Sequence, residues 1–199
     1  MTELSRYDVG SGVSGLDGKI LKNKLGIKDQ KTLSDTETIL LNDAYFYFLE
    51  KLSIGKLIFN TRLILEINKY FLGTLYNWAG KLREVNISKG NSMFAPVQYL
   101  PITFSGLDEI LTQVLSDKKT LAAGQLSKIV CEFNFVHPFR EGNGRTIRLF
   151  IDLLLVKNGY KMFDYTGVSE KRYIAACIAG MKKDYKKMTN IFKFGLEKK

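Results

Sequence analysis

Residues 143–157, NGRTIRLFIDLLLVK, read as one helix that is apolar on nearly every side past its first turn. A helix of that kind has no face to offer water, so other elements must surround it. The apolar run LFIDLLLV is short and broken by Asp152, which argues against a membrane span. The rest of the chain must therefore pack around this helix. With 199 residues, 45 % of them hydrophobic, it can do so in one domain, burying about 70 % of its unfolded surface.

The periodicity supplies the surrounding helices. Leu63, Ile64, Ile67, Phe71 and Leu75 recur at three- and four-residue intervals and predict a helix over 57–78. Ser34 and Glu37 have capping-box spacing ahead of ILLNDAYFYFLEKL, which places an earlier helix start near Ser34. Pro101 suits the first turn of a helix to Ser116. Further helices are predicted over 121–136, from a Ser169 cap to Ala179, and over 183–194. Between Lys81 and Tyr99 the period changes, and Val85, Ile87, Met93, Phe94 and Val97 flank Lys89-Gly90-Asn91 as in a short hairpin, the sole strand candidate. The fold class is all-α with one hairpin. Residues 8–18, rich in Gly and Ser, read as linker, so 1–33 form an arm and 34–199 the domain.

Two cysteines, Cys131 and Cys177, lie far apart without a CxxC pattern and read as reduced core residues. MTELSRYDVG lacks the basic-then-apolar pattern of a secretory signal, which predicts a soluble cytoplasmic protein. The net charge of +10 calls for an acidic partner without choosing among nucleic acid, nucleotide and protein. No RNP-type aromatic pair or paired Cys and His supports nucleic acid. The basic C-terminal stretch from Lys182 to Lys199 reads as a solvated helix face with a tail.

The loop that opens the apolar helix carries the chemistry. In HPFREGNGRTIR the only histidine, His137, is followed by Glu141, two glycines, and Arg145 and Arg148 in the first two turns of the helix. Cations there oppose the macrodipole at about 0.3–1 kcal/mol each, so an external anion is expected to compensate them. Gly142 and Gly144 let main-chain N–H groups approach a phosphate. Arg145, Arg148 and Asp152 are spaced to share a face. Glu141 fits if a divalent cation is present, because Mg2+ takes one or two protein carboxylates and completes its shell with phosphates and water. An ordinary histidine, with a pKa of about 6.5, accepts a hydroxyl proton at neutral pH.

His137-Pro138-Phe139-Arg140-Glu141-Gly142-Asn143-Gly144-Arg145-Thr146-Ile147-Arg148 resembles, at every specified position, the Fic-domain signature His-x-Phe-x-(Asp/Glu)-Gly-Asn-Gly-Arg-x-x-Arg. Tyr76-Asn77-Trp78-Ala79-Gly80 resembles the family segment that precedes its flap. The resemblance implies a helical bundle with one hairpin flap, and transfer of AMP from ATP to a Ser, Thr or Tyr hydroxyl of a target protein. It assigns His137 as general base, Glu141 as magnesium ligand, and Asn143 with the amides of Gly142 and Gly144 to the α- and β-phosphates. Arg145 falls to the β- and γ-phosphates, Arg148 to the γ-phosphate, and Phe139 to plugging the core. Ile87, Ser88 and Lys89 would pair with target main chain, or form an ordinary surface hairpin. Tyr173 would face the adenine, or pack in the core.

Many relatives carry an inhibitory helix, (Ser/Thr)-x-x-x-Glu-(Gly/Asn), whose glutamate pairs with the second arginine. Here only Ser105…Glu109 and Thr166…Glu170 have the spacing, and Ile110 and Lys171 follow them. A toxin restrained by a separate small antitoxin is therefore expected. Two other readings remain. One is a Doc-like phosphotransferase, which would carry lysine in place of Gly144; the other is an inactive nucleotide-binding module, which would not need His137.

Overall fold

This computed structural model describes residues 8–9, 16–17, 20–90, 92–116 and 121–198. Most of the predicted linker (10–15 and 18), Asn91 of the predicted hairpin turn and Lys199 lie outside the described residues. Five short strands are described: β1 (Asp8–Val9), β2 (Leu16–Asp17), β3 (Ile20–Leu21), β4 (Ile87–Lys89) and β5 (Ser92–Met93). The helices are α1 (Gln30–Ser53), α2 (Thr61–Leu72), α3 (Leu100–Ser116), α4 (Ala123–Val136), α5 (Asn143–Lys157), α6 (Glu170–Met181) and α7 (Lys186–Gly195).

The apolar helix is central, as its composition requires. Leu149, Phe150, Ile151, Leu153, Leu154 and Leu155 of α5 are all 0 % exposed. α1, α2 and α4 enclose it, and α3, α6 and α7 pack on α4. Asp152 is tolerated inside because Tyr45 Oη donates to it at 2.7 Å and Phe163 N at 3.0 Å. Both cysteines are free and buried, as expected.

Helix ends differ from the periodic reading where a cap overrides it. α1 starts at Gln30, since Asp29 in extended conformation accepts the Thr32 amide at 2.7 Å. Ser34 and Glu37 are thus inside the helix and form no capping box. α2 is shorter than 57–78, capped by Asn60 at its start and ended at Gly73. Leu75 and Tyr76 are buried in the turns that follow, so their spacing continued a helical pattern without helical backbone.

The predicted hairpin is present, and further short strands that the sequence did not announce accompany it. β4 and β5 pair antiparallel, Ser88 opposite Met93 and Lys89 opposite Ser92, with Gly90 at φ 55° in the turn. β1 adds to the other edge of β4, and β2 pairs with β3. Ladders of two residues carry no alternation to read in a sequence. Ile20 is buried, and the Lys24 amide donates to Leu75 O at 2.8 Å, so the end of the predicted arm packs on the core.

Arg83 ties the hairpin to the bundle. Its Nε donates to His137 O at 2.9 Å and Nη1 to Val85 O at 2.7 Å, while Nη2 reaches Ala95 O and, at 3.4 Å, Val136 O. The main chain reinforces this through Arg83 N to Pro138 O and Ala95 N to Phe135 O. A planar guanidinium suits several carbonyls at once, and two of these belong to the C-terminal end of α4, where a cation is favoured. Burial lowers its pKa to about 10, which leaves it charged at neutral pH. Arg83→Met should cost about 3–5 kcal/mol by stranding buried carbonyls. Arg83→Lys should recover little of that in urea denaturation, and a Lys variant as stable as the parent would refute the latch.

Candidate active site

A cleft of about 700 Å3 lies between the hairpin, the loop joining α4 to α5, and α6. The loop and the start of α5 contribute His137, Glu141, Gly142, Gly144, Arg145 and Arg148 to its lining. α6 contributes Tyr173, Ile174, Cys177, Ile178 and Met181, and the hairpin Lys89 and Ser92, with Phe94 just beyond it. One wall is thus polar and cationic, the other mostly apolar.

The loop is held by side chains that point away from the cleft. Asn143 Oδ1 accepts the Phe139 amide at 2.9 Å, and its Nδ2 donates to Phe139 O at 2.7 Å. Each polar end of this side chain has a partner in the loop, and Asn143 is 1 % exposed. Asn143 thus clamps the loop, and the cleft lining does not include it. Phe139 is fully buried beside Phe133, as a core plug should be. From below, Asn68 Nδ2 lies 3.2 Å from both Glu141 O and Thr146 Oγ1, and its Oδ1 accepts the Gly80 amide. Gly142 takes φ 80°, and a Cβ there would meet Leu72 at 2.7 Å and Phe71 at 2.9 Å. Only glycine fits that position.

Charges at the start of α5 diverge. Arg145 Nη1 donates to Glu37 Oε2 at 2.6 Å, its Nη2 lies 3.5 Å from Glu141 Oε1, and its guanidinium covers the Phe71 ring. Arg145 lines the cleft while it is ion-paired to Glu37 of α1. Arg148 goes the other way and lies over the rings of Tyr165 and Tyr173, at 5.3 and 5.7 Å from their centroids. Asp152 is bonded to Tyr45 and Phe163. The three residues leave α5 on one face, and their long side chains then part. The Gly142 amide donates to Glu141 Oε1 at 2.8 Å, so it too is engaged within the loop. The next first-turn amides have no carbonyl a turn earlier to receive them, and Gly144 keeps that end open: a Cβ there would find Arg148 Nη2 at 3.8 Å and nothing nearer.

His137 closes α4 in a left-handed conformation, φ 46°, its amide donating to Phe133 O at 2.8 Å. Such backbone in a bulky residue is uncommon and gathers at functional sites. Nδ1 lies 3.2 Å from Asn134 O, and a carbonyl can only accept. Nδ1 therefore carries the proton, and the lone pair is on Nε2. The Phe94 ring stacks on the imidazole at 3.8 Å. Burial, followed by the positive charges of Arg83 and Lys89, lowers the His137 pKa to about 3 against the pull of the Asn134 carbonyl. The imidazole is neutral throughout the physiological range.

Tyr173 lines the cleft and meets the Tyr165 ring edge-on. Trp78 is half-buried and stacked on Tyr76, a packing role. Sequence reasoning missed Glu37, Asn68 and Tyr165 as site residues. Asn68 could have been noticed, because it is a polar residue on the apolar face of a periodic helix; Glu37 was concealed by its cap-like spacing.

His137 is the only histidine, so one imidazole Hε1 resonance reports its titration. It should stay flat from pH 8 to pH 5, and a midpoint near 6.5 would contradict the burial. The folded pKa lies below the unfolded one, so the unfolded chain takes up a proton that the native chain refuses. Stability should then fall as pH drops below about 6.5, by up to ~1.4 kcal/mol per pH unit from this group, and less in His137→Gln.

The chain is similar to several known proteins. The Fic/DOC family model matches residues 58–155. The chain is 34 % identical over 169 residues to protein adenylyltransferase VbhT of Bartonella schoenbuchensis, covering 80 % of this chain and 33 % of that protein. It is 30 % identical over 169 residues to a Sinorhizobium fredii protein named probable protein adenylyltransferase y4lH, covering 83 % and 85 %. The chain thus spans a third of the first relative and most of the second. Among solved structures, BepC of Bartonella tribocorum with bound AMPPNP superimposes with TM-score 0.73 at 21 % identity, over 92 % of this chain and 95 % of that one. The N-terminal FIC domain of Bep8 from Bartonella sp. 1-1C gives 0.72 at 21 %, over 89 % and 90 %. With the signature loop in place, the helical bundle shared, and the Sinorhizobium protein matched over most of its length, this chain belongs to the Fic/DOC family.

Proposed function

We propose that the chain transfers AMP from ATP to a Ser, Thr or Tyr hydroxyl of a target protein. The observation that carries this reading is that a neutral imidazole and the positive start of α5, with Gly144 and Arg148, share one cleft. Relatives that bear the name protein adenylyltransferase support it. The target oxygen attacks the α-phosphorus of ATP, its proton passes to His137 Nε2, the Pα–O bond to the β-phosphate breaks, and pyrophosphate leaves. Arg148, cushioned on two tyrosines, meets the terminal phosphates, and the apolar face of α6 with Tyr173 takes the adenine. Because such displacements are catalysed mainly by positioning and charge neutralisation, rigid clamps such as Asn143 suit the task. Phosphate charge brought beside His137 would raise its pKa towards neutrality, restoring a base that burial has weakened.

Magnesium fits the donor set. Glu141 places a carboxylate in the cleft, and among the described residues no three His, Cys, Asp or Glu side chains gather as a metal cluster. Such a site suits an ion that keeps water and phosphate oxygens as its other ligands. When bound, it supplies charge neutralisation on the phosphates. Among the described residues no helix is long and apolar enough to cross a membrane, consistent with action in the cytoplasm, where ATP is available.

Intact-mass measurement of lysate proteins incubated with the chain and Mg-ATP should show adducts of one AMP. A phosphate adduct would instead support the Doc-like reading, and no adduct the inactive module. His137→Ala should slow transfer by about 10²–10⁴-fold while still binding ATP, and an unaltered rate would remove His137 as the base.

Restraint by a separate antitoxin belongs to the same reading. Among the described residues Arg148 is exposed and forms no ion pair, although Glu170 lines the same cleft. Its guanidinium is thus open to a glutamate from another protein. Co-expression with the product of the neighbouring reading frame should relieve toxicity and yield a complex; unchanged toxicity with no complex would defeat the idea.

A further inference from the structure

We propose that the chain's own strand β1 occupies the edge of β4 on which a target segment would dock, and so acts as a tethered competitor of targets. The inference rests on the docking role given above to Ile87, Ser88 and Lys89. A strand has two edges. In the order β1-β4-β5, β5 holds one edge of β4 and β1 the other, with Asp8 opposite Ser88 and Val9 opposite Ile87. Target main chain can therefore add to β4 only where β1 now lies.

This pairing is not a local hairpin, because β1 and β4 are far apart in the sequence. It is nonetheless a tethered one. Ile20 is buried and the Lys24 amide is fixed to Leu75 O, so β1 hangs from the core by a short stretch of chain. A short tether keeps its effective concentration at the edge high, while two paired residues supply few hydrogen bonds. Such an occupant blocks casual contacts and yields to a segment that pairs along the whole of β4. Both Lys89 and Ser92, at the turn end of the hairpin, line the cleft with His137. Since β1 runs antiparallel to β4, its N-terminal end points to that turn, the course a target segment would follow into the cleft.

The full-length Asp8→Pro/Val9→Pro variant tests this, because proline removes the amide from whichever residue donates to β4. Two readouts need no activity. Hydrogen exchange in the segment 85–90 should quicken about three- to tenfold in the variant, the loss of one or two net hydrogen bonds. A labelled peptide of residues 5–13, SRYDVGSGV, should bind the variant about three- to tenfold more tightly than the parent. Equal exchange and equal peptide binding would overturn the proposal whatever the transfer rate. With the edge opened, labelled AMP should reach lysate proteins several-fold faster. An opened edge with no gain in transfer, in a variant that still transfers AMP, would overturn competition and leave the adenylyltransferase reading intact.

Discussion

The closure of the Asn143 side chain on both main-chain groups of Phe139 is the contact on which the site depends. It shapes the loop between α4 and α5 so that Phe139 drops into the core, Gly142 turns through a left-handed conformation, and α5 begins at once. A side-chain amide does this well, since it offers one donor and one acceptor in a plane and its burial leaves neither unmet. Asn68 secures the same loop from α2 and Arg83 from the hairpin side. Three elements distant in sequence thus hold one turn.

That rigidity gives the electrostatics their meaning. Two arginines at the positive end of a buried helix would oppose folding if left alone, and the structure compensates them differently. Arg145 is neutralised within the chain by Glu37 and Glu141. Arg148 lies over the rings of Tyr165 and Tyr173, is exposed and, among the described residues, forms no ion pair. The division separates an arginine that builds the site from one left available to an anion. The same economy shows at His137, which burial and two nearby cations keep neutral and whose Asn134 contact directs the lone pair to Nε2.

The hairpin is fixed to this rigid centre. Arg83 fixes its base to the end of α4, Phe94 lays a ring on the imidazole, and its outer strand already carries a strand of the same chain. A firm base with a β4 edge that carries only a two-residue strand suits the docking role proposed for it.

The loop chemistry was legible in the sequence because its residues are contiguous. His137, Glu141, the glycines and Arg148 reach one cleft because a turn followed by a helix start leaves them little choice, and the apolar run after them had to become the central helix. The helix count was legible for a similar reason, since periodicity is local. Tertiary structure alone decided which side chains point outward to a ligand and which point inward. Asn143 became a clamp and Arg145 half of an ion pair because Phe139, Glu37 and Phe71 come to meet them. Glu37 and Arg145 are 108 residues apart, and Asp8 of β1 meets Ser88 of β4 from a distant part of the sequence. Contacts between distant segments are set by packing around α5, and no local spacing along the chain encodes them.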